Sequence, residues 1–358
     1  MQTGIIGLSQ TGKTSLFRIL TRAHVETRAG QSETHVGIAR VPDRRLIKLA
    51  EVFHPKKITY ATIEYVDIGG LKQDRVKDSA SLAPLREADA LAHVVRLFDD
   101  PSIPHPNGSI DPLRDIESLD LDLILNDLDQ LERRLERVEK DLKKKKDPQS
   151  EAEFALLQRC KAALDSEKPL REMEFKPEEL KALSGFQFLT QRPMIYVLNI
   201  GDDEAAQMDG VIERHHLEKL REKPKTAIVP FCGKIEAELV DLSDAEAAEL
   251  MSAYGLTESG RDRLIEATYA LLGLISFLTS GEPEVRAWTI VRGSTAQKAA
   301  GAIHSDIERG FIKAEVVNWE DLLAAGGWAP ARERAKVRLE GKEYIVRDGD
   351  VILFRHSS

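Results

Sequence analysis

Short, unbroken apolar runs mark the first half of the chain. Residues 3–7 lead into a glycine-bounded loop, and Leu16, Ile19 and Leu20 then return at helical spacing. This order predicts strand, loop, helix. Further runs at 63–66, 91–97, 194–198 and 227–231 are continuous rather than alternating, as strands covered on both faces require. Helical patterns separate them, so the expected class is α/β: a mostly parallel sheet flanked by helices.

The texture changes before residue 194. Leu121, Leu125, Leu128, Leu131, Leu135, Val138 and Leu142 recur every three or four positions among charged residues, which predicts a long amphipathic helix of coiled-coil character. Lys143 to Lys146, then Asp147 and Pro148, end it, and a second helical stretch over 151–164 can fold back against the first. An antiparallel hairpin inserted over 118–185 is expected. Residues 256–278 read as one helix, after which short strands at 286–291, 336–339 and 351–354 suggest a small α+β module. The expected partition is therefore 1–117 with 186–280, then 118–185, then 281–358.

At 358 residues the chain exceeds what one core usually organises. A composition of 42% hydrophobic and 31% charged residues is ordinary for a globular protein, and no apolar run reaches the roughly 20 residues of a membrane span. No membrane partner is expected. Met1 runs directly into the first strand without a secretory pattern, so a cytoplasmic location is expected. Two cysteines, Cys160 and Cys232, argue against a disulfide framework. A net charge of −9 speaks against wrapping nucleic acid with the whole surface or reading specific DNA sequences, while a local basic patch stays compatible.

The first loop carries chemistry. Gly7-Leu8-Ser9-Gln10-Thr11-Gly12-Lys13-Thr14 fits the phosphate-loop pattern between strand and helix. Amides from Ser9 through Ser15 can curl around phosphate oxygens at a helix N-terminus. Lys13 would neutralise the β- and γ-phosphates, and the Thr14 hydroxyl would ligate Mg²⁺. Asp67-Ile68-Gly69-Gly70 ends a strand-like run, where Asp67 can reach the metal through water and the Gly70 amide can turn toward a γ-phosphate. Leu71 follows, in the place where Ras-type GTPases orient the attacking water with a glutamine. A leucine cannot do so, and slow turnover, aided by backbone and a second cation such as K⁺, is the consequence. Asn199-Ile200-Gly201-Asp202 stands where such domains recognise the base, and a carboxylate there can accept from guanine's N1 and N2 groups. Phe231-Cys232-Gly233-Lys234 stands where a short loop buttresses the base, with Cys232 its candidate contact.

These residues resemble the Obg-like ATPase (YchF) family of the translation-factor GTPase class. The likeness rests on the phosphate loop, on Glu64-Tyr65-Val66-Asp67-Ile68-Gly69-Gly70-Leu71, and on READALAHVV from Arg86. It is most specific toward the C-terminus, in Val285-Arg286-Ala287-Trp288-Thr289, Gly310-Phe311-Ile312-Lys313-Ala314-Glu315-Val316 and Gly349-Asp350-Val351. The resemblance implies a nucleotide domain interrupted by a helical hairpin and followed by a ubiquitin-like TGS module, and association with ribosomes. It implies a switch threonine completing the magnesium shell, for which Thr34 is the chemically sensible residue although a count back from Gly37 lands on Gln31. It also implies ATP preference, with the Ile200 backbone against adenine. The family ends its base element in glutamate, whereas this chain has Asp202, and the stretch 72–81 is abbreviated. Three readings stay open: a slow ATPase, a GTPase, and a ribosome-binding adaptor whose nucleotide site regulates or is vestigial.

Overall fold

A computed structural model describes residues 1–22, 34–68, 82–145 and 147–357. In chain order, the first elements are β1 (Gln2–Ile6), α1 (Lys13–Thr21), β2 (Thr34–Arg40), α2 (Arg44–Phe53), β3 (Ile58–Thr59), β4 (Thr62–Ile68), α3 (Ala83–Glu87) and β5 (Ala90–Arg96). The helices α4 (Pro112–Lys144), α5 (Pro148–Asp165) and α6 (Pro177–Leu183) follow, then β6 (Met194–Asn199), α7 (Val211–Arg214), β7 (Thr226–Phe231), α8 (Gly233–Leu239), α9 (Asp244–Ala253) and α10 (Gly260–Leu271). The chain closes with β8 (Leu274–Ser280), β9 (Val285–Val291), α11 (Ala296–Ile303), α12 (Ser305–Arg309), β10 (Phe311–Asn318), α13 (Trp319–Ala325), α14 (Trp328–Glu333), β11 (Arg338–Glu340) and β12 (Asp350–His356). Among the described residues, no helix is long and apolar enough to cross a membrane.

Two compact units result, one of residues 1–38 and 64–268, the other of 39–63 and 269–358. The first is built on a six-stranded sheet of order β2-β4-β1-β5-β6-β7. β1, β4, β5, β6 and β7 run parallel, and their register pairs Ile5 with Asp67, Ile6 with His93, Arg96 with Asn199 and Asn199 with Phe231. Every residue of β5 and β6 is buried, which explains their mostly apolar sequence, with His93, Arg96 and Asn199 as buried polar exceptions. β5, β6 and β7 end level with one another, three residues beyond the end of β1, and the loops after β1, β5, β6 and β7 emerge at one edge of the sheet. That edge is where ligands of open α/β sheets bind.

α4 and α5 form the long helix pair, each begun by a capping aspartate and a proline: Asp111 with Pro112, and Asp147 with Pro148. α4 starts six residues before the expected boundary at 118, because its first turns belong to the sheet's core through Ile116, Leu119 and Leu123. Farther out, Ile124, Leu131, Leu156, Leu157, Cys160 and Leu164 make a separate cluster. The expected apolar stripe is corrected accordingly: Leu121 and Leu125 are 41% and 53% exposed. Facing the sheet first rotates the buried stripe to Leu123 and Ile124. Buried polar groups fasten this region. Arg171 bonds Asp120, whose other oxygen accepts from the Tyr196 hydroxyl at 3.3 Å, and Asp127 accepts from the amides of Leu189 and Thr190 at 3.1 and 2.7 Å.

The second unit has a mixed sheet of order β11-β10-β12-β8-β9-β3. β8 pairs antiparallel with β9 and parallel with β12, and β10 pairs antiparallel with β12 and β11. α11 covers a core of Ile275, Phe277, Ile290, Phe311 and Val316. Two features differ from the sequence reading. The single helix expected over 256–278 is α10 followed by β8, since the chain turns at Gly273 in a left-handed conformation (φ 64°). Residues 39–63, placed by sequence with the phosphate loop, join this unit: β3 pairs with β9 through Ile58 and Val285, and Arg45 bonds Asp348 at 2.9 Å.

Candidate functional site at the phosphate loop

The loop between β1 and α1 is held in shape from within and from behind. Gly7 has φ 145°, and a β-carbon there would stand 2.5 Å from the Val94 carbonyl oxygen. Gly12 caps α1 at φ 98°, where a β-carbon would meet Asn199 Nδ2 at 2.5 Å. Only glycine fits either position. The Thr11 hydroxyl donates to the Leu8 carbonyl at 3.1 Å, and Lys13 Nζ donates to the same carbonyl at 2.6 Å. Ser9, Gln10 and Ser15 are exposed on the loop's outer surface.

Lys13 is buried, and burial lowers its pKa from 10.5 to about 8, partly opposed by the nearby charge of Asp67. Asp67 stands at the end of β4 with no exposed surface. Burial raises its pKa, against the Thr14 hydrogen bond and the charges of Lys13 and His35. The Thr14 hydroxyl donates to Asp67 Oδ2 at 3.0 Å, while Asp67 Oδ1 is buried without a hydrogen-bond partner among the described residues. A buried carboxylate oxygen of this kind needs a compensating partner. Two hard oxygen donors fit Mg²⁺, which holds one or two protein oxygens and completes its shell with phosphate and water.

Thr34 opens β2 and is exposed, and the next residue, His35, lies near enough to act electrostatically on Asp67. Gly70 and Leu71, together with the abbreviated stretch 72–81, lie outside the described residues. Asn199, at the end of β6, uses both ends of its amide: Nδ2 donates to the Thr11 carbonyl at 2.9 Å, and Oδ1 accepts from the Gly233 amide at 3.0 Å. It thus joins the phosphate loop to the loop after β7.

A cavity of about 690 Å³ opens beside that amide, lined by Gln10, Gly12 and Ser15, by residues 98–101 after β5, by 199–203, and by Gly233 and Lys234. The structure refines three expected base contacts. The Ile200 side chain is buried and its amide donates to the Phe231 carbonyl at 2.9 Å. Cys232 is buried, so its neighbours Gly233 and Lys234 face the cavity instead. Asp202 does line the cavity, paired with Lys234 at 2.6 Å. Sequence reasoning missed residues 98–101, whose signal was their place directly after a fully buried central strand.

Residues 2–151 match a family described as 50S ribosome-binding GTPase, and residues 274–357 match the YchF GTPase C-terminal family, described as a protein of unknown function. The chain is 44% identical to the "Ribosome-binding ATPase YchF" of Bacillus subtilis over 99% of both chains, and 40% identical to that of Haemophilus influenzae over 98% of both. The solved structure of the Schizosaccharomyces pombe YchF GTPase superimposes with a TM-score of 0.87 at 28% identity, over 99% of this chain and 97% of its own. Similarity of that extent, with the phosphate loop and the C-terminal unit both matched, means that this protein belongs to the YchF family.

Proposed function

We propose that this protein is a P-loop nucleoside-triphosphatase that binds ATP with Mg²⁺, hydrolyses it slowly to ADP and phosphate, and lets nucleotide state control association with the ribosome in the cytoplasm. The observation that carries the reading is the Thr14 hydroxyl bonded to Asp67, whose charge Lys13 offsets, with Asp67 Oδ1 left unpartnered among the described residues. Support for the ribosomal and adenine parts comes from the relatives named "Ribosome-binding ATPase YchF".

In this reading the amides of residues 9–15 bind the phosphate chain, and Lys13 leaves the Leu8 carbonyl for the β- and γ-oxygens. Thr14 and Asp67 would hold Mg²⁺ directly and through water, with Thr34 closing the shell. The ion supplies charge neutralisation at the phosphates as the bond to the leaving group breaks. Leu71 offers no group to orient water, so positioning falls to backbone such as the Gly70 amide and to a second cation, K⁺, and turnover is slow. The helical insertion, 118–185, and the C-terminal TGS-like module, 281–358, would be the ribosome-facing parts. A GTPase is the second reading, favoured by Asp202 in the cavity.

Single-turnover phosphate release from ATP and GTP with Mg²⁺ and K⁺, set against Lys13→Ala, tests the chemistry. Release no faster than the variant would leave only an adaptor. Cosedimentation with ribosomes in ATP and in ADP tests the partner, and no association in either state would remove it.

A further inference from the structure

The base cavity contains an ion pair that the nucleotide chemistry above does not require. Lys234 Nζ lies 2.6 Å from Asp202 Oδ2, and both residues line the cavity beside Gly12 and Asn199. The pair is partly exposed, with side chains 65% and 39% accessible, so solvent screens it without abolishing it. The Lys234 hydrogen bond pulls the Asp202 carboxyl below its usual range and keeps it ionised.

We propose that Lys234 sets base preference by occupying the Asp202 carboxylate, and so favours adenine over guanine. Guanine presents two donors, N1–H and the N2 amino group, which reward a carboxylate with both oxygens free. Here Oδ2 already accepts from an ammonium group, so guanine's second bond has to share that oxygen and its charge with the lysine. Adenine presents an acceptor, N1, at the same edge. A bare carboxylate repels that lone pair, and a carboxylate neutralised by lysine does not. One ion pair therefore lowers the reward for guanine and the penalty for adenine together. Two adjoining side chains are committed elsewhere: Asn199 is engaged with Thr11 and Gly233, and the Ile200 side chain is buried. Lys234 acts through Asp202 and is a positioning residue.

This inference rests on the nucleotide-binding reading, and the test separates the two. Calorimetric titration with ADP and with GDP, in Mg²⁺, is compared for the wild type, Lys234→Ala, Lys234→Arg, Asp202→Asn and the Lys234→Ala/Asp202→Asn double variant. Lys234→Ala is expected to shift the ADP-to-GDP affinity ratio toward GDP by about two- to fivefold, the range of an exposed ion pair. Lys234→Arg should hold the wild-type ratio, and adding Lys234→Ala to Asp202→Asn should change nothing further. A ratio that stays put in Lys234→Ala, or moves toward ADP because the ammonium group was serving guanine O6, overturns the inference while leaving nucleotide binding intact. Failure of the wild type to bind either nucleotide overturns both.

Discussion

Asn199 holds the Thr11 carbonyl 2.9 Å from its Nδ2 while its Oδ1 takes the Gly233 amide at 3.0 Å, so one side chain fixes two loops of the site to each other. Asn199→Ala would leave a buried carbonyl and a partly buried amide without partners. The expected cost is about 1–3 kcal/mol of stability in urea unfolding, with weaker binding of every nucleotide whatever its base. A base-selective loss with unchanged stability would mean that the amide serves the purine rather than the loops.

Thr14→Val should remove the metal's protein hydroxyl and the bond to Asp67 at 3.0 Å together. Affinity for ATP in the presence of chelator should change little. The gain conferred by Mg²⁺ should fall on the order of 10- to 100-fold, with Thr14→Ser restoring most of it. Titrating Mg²⁺ into each protein at fixed ATP measures this directly, and an undiminished gain in Thr14→Val would place the ion elsewhere.

Lys13 links binding to pH. The unfolded chain keeps this proton up to its ordinary value of 10.5, whereas the folded chain, through burial, gives it up near 8. Between those values the unfolded state binds more protons, so the contribution of this residue to stability rises with pH across that window. Phosphates would restore the charge. ATP binding is expected to take up about half a proton at pH 8 and about a tenth at pH 7 from this group. Calorimetry in buffers of different ionisation enthalpy reads the difference, and uptake that does not increase from pH 7 to 9 would contradict it.

Arg171 and Asp120 form a buried pair, with the Tyr196 hydroxyl on the second carboxylate oxygen. Arg171→Met should cost about 3–5 kcal/mol, because a buried carboxylate loses its main counter-charge. Adding Asp120→Leu should return part of that loss. Urea unfolding of both variants decides, and a double variant less stable than the single one would show that Asp120 has another essential partner.

The phosphate loop and the central strands were legible because local rules fix them. Glycines at set spacing and mostly apolar runs six or seven residues long leave few alternatives, as the fully buried β5 and β6 show. What sequence misjudged depends on distant contacts. Residues 274–278 are as apolar as a helix face, and their strand form follows from pairing with β9 and β12. Cys232 and Lys234 are two positions apart, yet only the direction in which α8 starts decides that lysine faces the cavity while the thiol is buried. The α4 stripe followed the same logic: periodicity gave a helix, and the sheet chose its inner face.

The assignment of residues 39–63 to the second unit also has a consequence for how the chain matures. Arg45 waits for Asp348, 303 positions later, and β3 waits for β9. At about 5–20 residues per second, translation delivers that partner roughly 15–60 s after Arg45 has been made. During this interval an early stretch of polypeptide is synthesised without the sheet it completes. A C-terminal truncation would leave it so permanently, which makes shortened products natural targets for chaperones and proteases.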